Sequence, residues 1–385
     1  MTNSQTALVV MLGVHGDTRP EILLNRALEK ATLDLLNKAE PVDQIEKIIL
    51  STNSEKLAKQ LTDRNITLIK DKGQNFNFGK KLEQIIKAHS VGDLLYFGGG
   101  SGVLLDTGDL TFLADFLSNN YNVSVSNNFY STDFIGLSPA PRLLEVSLPS
   151  TDNQLGWKSR EAGYTPYELE RTAKTQFDID SPVDLIPLRL SKPNETNLSS
   201  FLEEISLDTE SHEEVLPHLT NSQAKLALGG RIGASTWSFV EYNAACRVNI
   251  YSENRGMHAD TRLRDNGLPS LLASLAEEKG FETLFSELLA STSGLILDTR
   301  IIYRHFGIWP PARDRYWSDL GKPSRISVDL VKKMTEAALG QPKPILLGGH
   351  SLVSGSLYLM VDIAWNSRHP KSKQVRPRRL SLSNR

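Results

Sequence analysis

The chain has 385 residues, 39% of them hydrophobic and 23% charged, with a formal net charge of −2. That length suffices for two ordinary domains with real cores. The composition is globular rather than disordered, and the near-neutral charge excludes a global pull towards nucleic acid or an anionic membrane.

The N-terminal residues 1–6 are polar, without the basic and apolar regions of a signal peptide. The longest apolar runs fall far short of the ~20 residues that span a bilayer. A cytoplasmic protein with no membrane partner is therefore expected. The single cysteine, Cys246, excludes an internal disulfide framework. Its apolar neighbours mark it as a buried small hydrophobe rather than a nucleophile.

Residues 7–12 form a short apolar run ending at Gly13, the pattern of a buried strand. A helix is expected over 21–38, a strand over 47–51, a helix over 55–61 and a strand over 67–69. A helix over 82–89 leads into a strand over 93–97, which runs straight into Gly98, Gly99, Gly100, Ser101 and Gly102. Alternating strands and helices imply a mainly parallel sheet, whose buried strands read as continuous apolar runs. Strands over 123–126, 134–137 and 167–169 and a helix over 155–162 complete a first α/β domain, 1–190. Residues 191–220 are rich in Ser, Thr, Glu and Asn and read as a linker carrying an acidic helix. A second α/β domain is expected over 221–367. It has helices over 235–245, 268–279, 282–289, 328–339 and 357–365, and strands over 247–251, 294–298 and 344–347. The basic tail 368–385 reads as a frayed end, the one weak hint of an anion or RNA contact.

Loops at the carboxyl ends of parallel strands are where ligands bind. The first strand delivers Gly13, Gly16 and Arg19 there, and the fourth delivers Gly98, Gly99, Gly100 and Ser101. Glycines admit a phosphate close to the backbone and an arginine pairs with it, although tight turns use the same residues. Asp178 and Asp180 flank Ile179, so both carboxylates fall on one side of an extended segment. Such a pair calls for a hard cation such as Mg²⁺ shared with substrate phosphates. The other reading is that Asp180 and Asp184 cap the helix started by Pro182.

The run Asp178-Ile179-Asp180-Ser181-Pro182-Val183-Asp184-Leu185 resembles the closing Asp-x-Asp-Thr-Pro-x-Asp-Leu signature of GT-A-fold nucleotidyltransferases. Phospholactate guanylyltransferases and molybdenum-cofactor guanylyltransferase-like proteins are the nearest in layout, over residues 7–190 only. The resemblance implies a nucleotide-diphospho-sugar-transferase-like fold that uses a nucleoside triphosphate. It implies Mg²⁺ held by Asp178 and Asp180, and a small phosphorylated or carboxylated acceptor. Thr132 and Asp133 stand where the phospholactate enzymes have a substrate loop. One departure bears on the metal. The family carries an aspartate after the fourth strand where this chain has Ser101, and Asp106 is the carboxylate nearby that could replace it. The alternatives are a catalytically degenerate nucleotide-binding or scaffold protein, or a main activity in the second domain.

In the second domain three expected strands each end in a polar cluster. Together they offer Arg255, Asp298, Arg300, His350 and Ser351 to one edge, a set suited to an anionic ligand. The bland reading pairs Arg255 with Glu253 and Arg300 with Asp298. Ser351 is otherwise a helix cap, and Gly229 to Gly233 is a further possible phosphate turn.

Overall fold

The computed structural model describes residues 6–71, 76–193, 196–257 and 267–368. The chain divides into two compact units. The first runs to Leu185 and includes Lys192–Ser206; the second comprises Ile186–Ser191 and the chain from Leu207 onward. The basic tail lies, beyond Arg368, outside the described residues.

The first unit is built on seven strands: β1 (Thr6–Leu12), β2 (Ile45–Thr52), β3 (Thr67–Lys70), β4 (Asp93–Gly98), β5 (Val123–Ser126), β6 (Phe134–Ser138) and β7 (Thr165–Glu168). Their order in the sheet is β3-β2-β1-β4-β6-β5-β7, and β6 alone runs against its neighbours. All seven residues of β1 are buried, as a strand covered on both faces requires. The helix Arg19–Ala39 follows β1. Glu21 fixes its start by accepting from the Thr18 amide at 3.2 Å and from the Thr18 hydroxyl. The longest helix of this unit that the pattern does not predict is Thr107–Asn119. A reciprocal cap starts it: the Asp109 amide donates to Asp106 at 3.0 Å and the Asp106 amide to Asp109 at 2.8 Å.

The second unit holds β8 (Lys225–Gly230), β9 (Arg247–Ser252), β10 (Gly294–Asp298) and β11 (Ile345–Gly348). They lie in the order β11-β10-β8-β9 and all run parallel. Only three strands are expected from the sequence. The fourth, β8, sits between β10 and β9, and Gly229 and Gly230 are its last residues rather than a free turn. Leu295, Leu297, Phe285, Tyr303, Met334 and their neighbours form the core on one face of this sheet. Cys246 is half-buried, and burial pushes its thiol up to about 11, which leaves it inert at neutral pH.

The stretch 191–220 contains two helices, Asn197–Glu204 in the first unit and Glu210–Leu219 in the second. No helix among the described residues is long and apolar enough to cross a membrane.

Candidate active site

A cavity of about 630 Å³ opens at the carboxyl ends of β1 and β4. Its floor is Met11, Leu12, Gly13, Gly98, Gly99 and Ser101, and one wall is acidic: Asp133, Asp152, Asp178 and Asp180. The segment carrying the last two is extended, with Phe177 and Ile179 buried at 2% exposure each. Strand alternation therefore turns Asp178 and Asp180 the other way, into the cavity. Ser101 and Asp178 form an antiparallel bridge, and the Ile179 amide donates to the Gly100 carbonyl at 3.2 Å. Gly100 has φ of +108°, and a Cβ there would lie 2.9 Å from the Ile179 carbonyl oxygen. A glycine is required for this segment to close against β4.

The capping alternative divides between two residues. Asp184 is the cap, accepting from the Asp180 amide at 3.1 Å, the Ser181 amide at 2.8 Å and the Ser181 hydroxyl at 3.0 Å. Asp180 lines the cavity.

The acidic wall is under electrostatic stress. Asp178 Oδ1 is buried with no hydrogen-bond partner. Burial first, then the charges of Asp180, Asp133, Asp184 and Asp152, push the Asp178 carboxyl well above the usual range. Asp133 is raised to about 7 by burial, opposed by its hydrogen bond from Asn127 at 2.7 Å and reinforced by Asp180 and Asp152. Asp152 is raised by burial, although Tyr96 donates to it at 2.9 Å.

Among the described residues no three carboxylate, imidazole or thiolate groups are gathered so as to hold a metal by themselves. The donor set nevertheless suits a Mg²⁺ ion that keeps water and substrate oxygens in most of its shell and takes one or two carboxylates from the protein. The orphaned Asp178 oxygen is the observation that supports this fit.

The rest of the lining is basic and amide-rich: His15, Asn53, Asn77, Lys80, Lys81 and Gln84, with Phe76, 53% exposed. Lys81 pairs with Asp71 at 2.5 Å, whereas Lys80 makes no ion pair among the described residues. Asn53 clamps the β1 loop, accepting from the Val14 amide and donating to the Val14 carbonyl, both at 2.8 Å.

Gly13, Gly98, Gly99, Ser101, Asp133, Asp178 and Asp180 thus meet at one cavity. Gly16 and Arg19 are exposed and do not line it, nor does Gly100. Thr132 is fully buried; its hydroxyl donates to the Asn128 carbonyl and accepts from the Gly156 amide, both at 3.1 Å. Asp106 caps its helix, pairs with Lys174 at 2.7 Å and does not line the cavity, so it does not stand in for Ser101. Asp152, Tyr96, Lys80 and Phe76 are absent from the sequence-derived set. Only the exposed Phe76, an apolar residue in a polar stretch, left a trace in the sequence.

In the second unit Asp298 and Arg300 do not pair side chain to side chain. Arg231 holds Asp298, with Nη2 to Oδ1 at 3.1 Å, and Arg300 forks onto Asp319 with two bonds of 2.6 Å. Glu253 does not pair with Arg255 but accepts the Leu271 and Leu272 amides at 3.1 and 3.2 Å. Ser351 is buried at the start of a 3₁₀ turn, Ser351–Val353.

No protein-family model matches the chain, and the curated proteins contain no match to it. Solved structures similar to it include a cytidylyltransferase from Leptospira borgpetersenii, at 12% identity, covering 53% of this chain and 99% of that one with a TM-score of 0.39. A nucleotidyl transferase from Methanothermobacter is similar at 12% identity over 52% and 99% of the two chains, with a TM-score of 0.38. A 4-diphosphocytidyl-2C-methyl-D-erythritol synthase from Anaerococcus prevotii is similar at 11% identity over 46% and 94%, with a TM-score of 0.33.

Proposed function

We propose that the first unit is a metal-dependent nucleotidyltransferase, moving a nucleotidyl group from a nucleoside triphosphate to a small phosphorylated or carboxylated acceptor. The observation that carries this reading is the buried, unpartnered Asp178 Oδ1, set among Asp180, Asp133 and Asp152 in a cavity that Lys80 and Lys81 also line. Buried like charges are costly without a cation. Held by Asp178 and Asp180, Mg²⁺ would neutralise phosphate charge and draw the triphosphate against the acidic wall.

The chain's own residues supply the remainder. Lys80 is placed to pair with a phosphate oxygen, and Gly13 and Gly99 let the phosphates approach the backbone. Phe76 offers a ring face on which a base can stack. Tyr96 fixes Asp152 in place beside the acidic wall. An acceptor oxygen then forms a bond to the α-phosphorus as the bond to the bridging oxygen breaks and pyrophosphate leaves. Catalysis rests on positioning and charge complementarity, with no side-chain nucleophile.

Thermal unfolding of the full chain with each nucleoside triphosphate, with and without Mg²⁺, tests this. At least one nucleotide should stabilise the protein only when Mg²⁺ is present. Asp178→Asn should abolish that shift while raising the melting temperature of the free protein, because it removes a carboxyl that ionises more readily in the unfolded chain than in its buried site. No stabilisation by any nucleotide at millimolar concentration overturns the proposal. Ser101 favours a second reading, nucleotide binding without turnover, because its hydroxyl donates to the Gly98 carbonyl at 2.8 Å and brings no carboxylate. Pyrophosphate release separates the two readings.

A further inference from the structure

The second unit presents a positively charged edge that the cavity of the first unit does not involve. From β8 the chain crosses to β9 on one side and then returns to β10 on the other. Strand order therefore reverses between β8 and β10, and open parallel sheets leave a ligand crevice at the carboxyl ends of such a pair.

Three side chains converge there. Arg231 follows β8 and is held by Asp298 at the end of β10. Arg255, beyond β9, lies over Gly233, where an added Cβ would come within 3.4 Å of the Arg255 Cζ. His350, beyond β11, feels the charges of Arg231, Asp298 and Arg255, and its Nδ1 is buried with no hydrogen-bond partner. Gly233 is also the residue before the helix Ala234–Asn243 and brings no side chain to cap that helix's first amides. The positive end of a ten-residue helix therefore faces the same place.

Among the described residues, the negative charges nearby are committed elsewhere. Asp298 is taken by Arg231, Glu253 caps the helix Leu271–Lys279, and Asp319 is taken by Arg300. Arg255 has no ion pair among the described residues. An exposed guanidinium, a second one bound to a single carboxylate, a bare helix N-terminus and an imidazole nitrogen lacking a partner add up to a site short of one anion.

We propose that Arg231, Arg255 and the first amides of the helix Ala234–Asn243 bind a phosphate-type oxyanion, either free phosphate or the terminal group of a small phosphorylated molecule, with His350 Nδ1 accepting from a protonated phosphate oxygen. A tetrahedral oxyanion offers several acceptor oxygens to donors that approach from different strand ends, and the guanidinium fork suits it. Burial, with Arg231 and Arg255, lowers His350 to about 4. The ring is therefore neutral at pH 7; its one N–H is spent on the Arg231 backbone, which leaves the unpartnered Nδ1 as an acceptor.

Calorimetric titration of the full chain with inorganic phosphate, and separately with glycerol 3-phosphate, tests the site. One saturable site is expected. Arg255→Gln should weaken it by about tenfold or more, the loss typical of one charge-assisted contact, and Arg255→Lys by less. Arg255 is exposed, so both variants should melt with the parent protein. Asp178→Asn should leave this binding unchanged, which keeps the result independent of the first unit's proposed activity. Tighter binding of glycerol 3-phosphate identifies a phosphorylated molecule as the ligand, and tighter or equal binding of inorganic phosphate identifies the free ion. The absence of saturable binding of either probe overturns the proposal. So does an Arg255→Gln affinity within about twofold of the parent, or loss of binding in Asp178→Asn.

Discussion

Ser101 is 5% exposed and its hydroxyl is committed to the backbone, donating to the Gly98 carbonyl at 2.8 Å with the Asp133 carbonyl oxygen 3.2 Å away. It ties the end of β4 to the start of β6. A carboxylate at this position would lose the donor and face two carbonyl oxygens while adding charge to an already acidic wall. Ser101→Asp should therefore destabilise the protein, by about 2–3 kcal/mol from the lost hydrogen bond and the repulsion. Urea unfolding of the two forms measures this; unchanged or higher stability would mean that the loop opens the side chain to the cavity. Asp133, just ahead of β6, brings a carboxylate to the same cavity. The neighbours Thr132 and Asp133 show why such placement is hard to read from sequence. Both belong to one polar loop, yet Thr132 is locked inside it and Asp133 reaches the cavity. Only the pairing of β4 with β6 decides which way each side chain turns.

At the scale of elements, the legible parts are those whose burial is two-sided. β1 and β4 are near-continuous apolar runs and are buried almost throughout, whereas β2 is buried at Ile45 and from Ile48 on, with Glu46 and Lys47 exposed. β8 escapes notice because Lys225 opens it and Gly229 and Gly230 close it, leaving only Leu226, Ala227 and Leu228 as an apolar signal. The helix Thr107–Asn119 has its start signal in an Asp-x-x-Asp box rather than the commoner Ser/Thr-x-x-Glu form. The helix Asn197–Glu204 reads locally as part of a polar linker, but its N-terminus is fixed from far away. Asp34, on the helix Arg19–Ala39, accepts from the Asn197 amide at 2.9 Å, the Asn197 side chain at 2.8 Å and the Leu198 amide at 2.9 Å. Asp34 is 6% exposed, so Asp34→Ala strands these donors with little water to replace their acceptor. The expected cost is about 2–3 kcal/mol. Hydrogen exchange should rise first in residues 197–204, and protection unchanged there would show that Thr196 alone holds the helix start.

For the whole molecule, the two units carry buried titratable groups with opposite linkage to pH. In the first unit Asp133 is raised to about 7, and Asp178 and Asp152 are raised as well, burial being the leading cause for all three. The folded form of such an acid holds its proton more tightly than the unfolded chain does. This unit therefore loses stability as pH rises from about 4, the ordinary carboxyl value, through about 7. In the second unit His212 and His350 are both lowered to about 4, again chiefly by burial. Their folded forms bind protons less tightly than the unfolded chain. That contribution is fully present above about 6.5 and is lost as pH falls from there towards 4. Between pH 5 and pH 7.5 the first unit should thus weaken as the second strengthens, each by roughly 1–3 kcal/mol, since a tenfold change in proton affinity is worth about 1.4 kcal/mol. Peptide-resolved hydrogen exchange in mild denaturant, corrected for the intrinsic pH dependence of exchange, reads the two units separately. Opening free energies of β1 and β4 should fall over this range while those of β8 and β10 rise. Adding Mg²⁺ and a stabilising nucleotide at pH 7.5 should restore β1 and β4 alone, because a cation offsets the cost of holding the Asp133 and Asp178 carboxylates charged in a buried site. Parallel changes in both units would show that neither the acidic wall nor the buried histidines control stability in this range.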